Sequence, residues 1–67
     1  MISFGINIRA EELTALEYAV ARWARVYPET RIAAVDPLPD GIKGVTVECP
    51  NVTIAFYIGT FFGRRGS

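Results

Sequence analysis

Sixty-seven residues make one domain, close to the lower size at which a single hydrophobic core suffices. The lone cysteine, Cys49, excludes an intramolecular disulfide, and the absence of histidine removes both the commonest metal ligand and the usual general base. Seven basic residues balance seven acidic ones, and with Arg64 and Arg65 set apart the remainder is slightly acidic, so the body offers no electrostatic footprint for a polyanion.

Met1 to Arg9 alternates. Ile2, Phe4, Ile6 and Ile8 fall on one side and Ser3, Gly5, Asn7 and Arg9 on the other, which predicts a half-buried strand. From Ala10 to Tyr27 the period changes: Leu13, Leu16, Val20, Trp23 and Tyr27 recur at steps of three and four, with Glu11, Tyr18, Arg22 and Arg25 opposite. This is an amphipathic helix with acids at its N-terminal end and Pro28 as its stop.

Thr30 to Asp36 reads as a short strand, and Asp36 to Gly41 as a loop whose two prolines donate no ladder bonds and whose Asp-Gly pair turns the chain. Ile42 to Cys49 is a third strand, with Val45, Val47 and Cys49 inward and Thr46 and Glu48 outward. Pro50-Asn51 then marks a second turn, and Val52 to Phe62, rich in β-branched and aromatic residues, reads as a fourth strand. Its Val52, Ile54, Phe56 and Ile58 would face one way and Ala55, Tyr57 and Phe61 the other.

These elements predict an α+β fold: a two-layer βαβββ sandwich with one helix on a four-stranded mixed sheet, over residues 1–63, followed by a short basic tail, 64–67. Because the fourth strand is apolar on both faces it belongs inside the sheet, in the order 2-3-4-1; the alternative order 1-2-3-4 leaves it as an exposed edge. In the preferred register Cys49 faces Val52, Val47 faces Ile54 and Tyr57 lies over Gly44.

Catalytic groups are sparse. Glu11 and Glu12 diverge by about 100° on a helix, Asp36 and Asp40 suit turn chemistry, and Cys49 has no imidazole to activate it, so the chain is expected to be neither an enzyme nor a metal or cofactor protein. The apolar run is shorter than the ~20 residues that span a bilayer, and Met1 opens no signal peptide, so a cytoplasmic protein with no membrane partner is expected.

The expected function is a non-catalytic protein-interaction module, acting as a small inhibitor, adaptor or assembly subunit. It would use the outer sheet face and the overhanging end of the fourth strand, with Ile42, Thr46, Ala55, Tyr57, Phe61 and Phe62 at the interface and a second copy or a larger protein as partner. The alternative is a binder of single-stranded nucleic acid or of a small ligand, which combines the same aromatic face with Arg64 and Arg65 and whose nucleic-acid affinity falls with salt.

Overall fold

The computed structural model describes the backbone of residues 1–66 and the side chains of residues 1–62; the side chains of Arg64 and Arg65, read above as the basic tail, and Ser67 lie outside the described residues. In chain order the elements are β1 (Ile2–Arg9), α1 (Leu13–Val26), β2 (Arg31–Pro37), β3 (Ile42–Cys49) and α2 (Val52–Gly66).

The sheet has three strands in the order β1-β3-β2, and both pairings are antiparallel. The expected four-stranded mixed sheet is therefore incorrect, as are both strand orders considered for it. Val52 to Phe62 is helical, so the place beside β3 that a fourth strand would fill is taken by β1, which pairs with β3 from Ile2 opposite Cys49 to Arg9 opposite Ile42. The hairpin contacts of Val52, Ile54 and Tyr57 with β3 disappear with that strand, as does the overhang.

The physical reason is visible at the junction. Pro50 ends β3, and the Asn51 side chain caps α2: its Oδ1 accepts the Ile54 backbone N–H at 3.1 Å, the bond an N-cap residue makes to the third residue of a helix. The run then offers Ile54, Ile58 and Phe62 at steps of four, and all three are buried. Burying one helical stripe against the sheet outweighs the weak β-preference of Val52, Thr53, Ile54, Ile58 and Thr60, each worth only tenths of a kcal/mol (~0.4).

Both helices cover one face of the sheet. That face carries rows such as Phe4, Val47 and Ile32, and the core collects Ile6, Ile8, Val45, Val47 and Cys49 from the strands with Leu16 and Val20 from α1. α2 lies chiefly over β1, and α1 approaches β2. The opposite face is small and polar, with Ser3, Gly5, Asn7, Thr46 and the exposed ion pair of Arg31 Nε with Glu48 Oε1 at 2.8 Å. It needs no second cover, because the chain's second apolar surface belongs to a helix and not to the sheet.

Local signals close the remaining joints. Glu12 Oε1 accepts the Arg9 N–H at 3.2 Å where β1 gives way to a single 3-10 turn that leads into α1. After α1, the Thr30 N–H donates to the Tyr27 carbonyl at 2.9 Å around Pro28. In the β2–β3 connection Asp40 and Gly41 both take positive φ, 64° and 72°, and the Leu38 N–H reaches the Ile42 carbonyl at 2.9 Å. Asp followed by Gly is the pair best able to hold two consecutive left-handed residues.

Candidate interaction groove between the helices

The sequence-predicted site residues do not come together. Ile42 and Thr46 lie on the outer sheet face, paired with Arg9 and Gly5, whereas Ala55, Tyr57, Phe61 and Phe62 belong to α2 on the other side of the sheet. Phe62 is buried in the core and Ala55 is half-buried beside it, so neither is a free contact. Tyr57 and Phe61 remain open, 59% and 62% exposed, on the flank of α2 that faces α1.

Between the two helices runs a groove of about 750 Å³. Its floor is Trp23, Ile58 and Phe62, and its rims are Tyr57 and Phe61 from α2 and Ala15 and Tyr18 from α1. Trp23 organises one end. Its ring stands 5.8 Å from that of Tyr57 and 6.2 Å from that of Tyr27, both tilted, distances at which aromatic pairs gain attraction beyond simple burial. Farther along α2, Phe61 meets Phe62 edge to face at 5.0 Å.

The α1 rim follows from helical spacing. Ala15, Tyr18 and Arg22 succeed one another at steps of three and four, which keeps them on one stripe of α1, and Glu11 joins them from the 3-10 turn that precedes the helix. Tyr18 is 68% exposed, and the charges on this rim are one of each sign. The sequence places Tyr18, Glu11 and Arg22 on the solvent face of the helix and Trp23 in its apolar stripe. It does not reveal the groove while the second wall is assigned to a strand. A large aromatic on the polar face of an amphipathic helix is the available clue.

Chemistry in this groove is limited to contact. Apolar rings dominate it, its titratable groups are exposed, and among the described residues no three histidine, cysteine, aspartate or glutamate side chains converge to hold a metal. Cys49 is fully buried on the sheet, where its Sγ donates to the Asn51 carbonyl at 3.3 Å, and it does not reach the groove. No helix among the described residues is long and apolar enough to cross a membrane.

Comparison with protein-family models, with curated proteins and with solved structures gives no match to this chain.

Proposed function

We propose that this chain is a non-catalytic protein-interaction module that receives an apolar segment of a partner protein in the groove between α1 and α2. The observation that carries the reading is the state of the rim: Tyr18, Tyr57 and Phe61 stay about three-fifths or more exposed while converging on one 750 Å³ depression. Contiguous exposed aromatic surface of this kind marks interaction sites, and aromatic rings supply most of the binding energy at such surfaces. With one carboxylate and one guanidinium on the α1 rim, the groove suits a segment that is itself near neutral, such as one apolar face of a helix.

The test places a photoreactive benzoylphenylalanine at position 18, and separately at Ala34 on the outer sheet face, of the full chain in its own cells. The reading requires a covalent adduct with one recurring polypeptide from position 18 and not from position 34. Adducts of equal yield from both faces, or none from position 18, would contradict it.

A second reading is supported by the size of the groove, which lies within the range of small-molecule pockets, ~300–1,000 Å³. In that case an apolar ligand occupies it. Such pockets enclose most of their ligand, whereas this rim leaves one side open, which favours the protein segment. The nucleic-acid alternative draws less support, since among the described residues the groove presents no basic track: Arg22 is balanced there by Glu11.

A further inference from the structure

We propose that two copies of this chain pair through the free edges of their β1 strands, joining two three-stranded sheets into one of six, with the outer flanks of α2 meeting above the seam. The inference concerns a different surface from the groove and stands whether or not the groove receives a partner.

The first observation is an asymmetry between the two sheet edges. The β2 edge is guarded in the ways natural proteins guard edges: its register shifts between Ile32 and Ala34, it ends in Pro37, and it carries Arg31 and Asp36. The β1 edge has none of these. From Ile2 to Ile8 it runs for seven residues without proline, charge or irregularity, and its register with β3 is continuous. Along a strand, successive N–H groups point alternately to either side, so β1 presents a row of unpaired donors and acceptors at its free edge.

The second observation is independent of the first and lies on α2. With 100° per residue, Val52 sits about 180° around the helix from Phe61, and Phe56 and Gly59 lie near Val52. Phe61 and Tyr57 face α1, so Val52 and Gly59 occupy the flank turned away from it, beyond β1, and Phe56 stands between that flank and the crest of the helix. Val52 and Phe56 are each 69% exposed, although the whole run from Val52 to Phe62 lacks a charge. The polar residues of this run, Thr53 and Thr60, share one stripe about 80–100° around from Val52, so they do not account for the exposed apolar side of Val52 and Gly59. At Gly59 there is open space, since a Cβ added there would meet nothing within 4 Å, and a second helix can approach closely.

Each surface explains the other. A two-fold axis through the middle of β1 sets the strand antiparallel to its own copy, and the same axis brings each α2 flank toward its mate, as an isologous interface requires. Val52 and Phe56 expose roughly 250 Å² per copy, about 500 Å² for the pair, and the strand seam with Met1, Ile2 and Phe4 beside it brings the total to about 1,000 Å². That is the lower bound for a specific interface, so the dimer is expected to dissociate on dilution rather than to be obligate.

The experiment introduces single cysteines on the outer face of β1, Ser3→Cys, Gly5→Cys and Asn7→Cys, with Ala34→Cys on β2 as the control edge. Native Cys49 is fully buried and stays silent, and a side chain at Gly5 would come no closer than 3.9 Å to the Val45 carbonyl, an ordinary contact. Oxidation at tens of micromolar should give a disulfide-linked dimer from at least one β1 position within minutes and none from Ala34→Cys. In parallel, Phe56→Glu should raise the dissociation constant measured by sedimentation roughly tenfold or more, while leaving the circular dichroism of the monomer unchanged. Linkage from β2 as fast as from β1, or a monomeric wild type at every concentration with no β1 linkage, would overturn the proposal. Should the β1 dimer form while position 18 yields no adduct, the groove reading alone fails.

Discussion

Ile54 and Phe56 are two residues apart, and that spacing separates a strand from a helix at Val52 to Phe62. In a strand they share a face, so truncating either would cost alike; in α2 they are about 200° apart, with Ile54 fully buried and Phe56 69% exposed. Removing a buried isoleucine side chain to alanine costs about 2–5 kcal/mol, of which alanine's better helix propensity returns roughly 0.4 kcal/mol. A domain of this length has a total stability of about 3–10 kcal/mol. Ile54→Ala should therefore lower the urea midpoint by about 2 M or more, at a slope near 1 kcal/mol per molar, or leave the chain unfolded in buffer. Phe56→Ala should stay within about 0.5 kcal/mol of wild type, because an exposed aromatic is exchanged for the best helix former. Both unfolding curves are to be recorded by circular dichroism at sub-micromolar concentration, where lost association cannot enter. A Phe56→Ala loss as large as that of Ile54→Ala would refute the helical assignment and restore the strand.

Three further substitutions probe the same account. Asn51→Ala removes the acceptor of the Ile54 N–H and should cost about 1 kcal/mol in denaturant unfolding, whereas an effect below ~0.3 kcal/mol would mean that the cap is not formed. Gly59→Ala adds a methyl group into open space in the middle of α2, so chemical denaturation should show a gain of roughly 0.8–1 kcal/mol; a loss would place another group there. Thr30 is buried with its Oγ1 lacking a partner among the described residues, so Thr30→Val should be neutral or stabilise by about 1 kcal/mol, and a loss of that size would reveal a bond to the hydroxyl.

The first three-quarters of the chain are legible because each element there buries one face only. Ile2 to Ile8 alternate as a strand must, Leu16, Val20 and Trp23 keep helical spacing, and Val45, Val47 and Cys49 alternate again, so period alone distinguishes the elements. Val52 to Phe62 carries no such contrast. With apolar side chains at nearly every position, its burial pattern is compatible with either period, and β-branched composition then tips the reading toward a strand. The information that decides it is local: proline followed by asparagine is poor in a two-residue hairpin but good before a helix, and Ile54, Ile58 and Phe62 supply the i, i+4, i+8 stripe. That single reassignment moves Tyr57 and Phe61 from an outer sheet face to an interhelical groove and brings β1 directly beside β3. Of the expected interface, these two aromatics alone keep an exposed position on the candidate site.

Native-state hydrogen exchange along β1 tests the account most directly, read amide by amide from a concentrated sample. In a solitary sheet whose edge is β1, alternate amides between Ile2 and Ile8 point to open solvent and exchange freely, while their neighbours are held by β3. The account predicts protection at every one of these amides at high concentration, with the alternate set losing it on hundredfold dilution. Free exchange of the alternate set at all concentrations would contradict it.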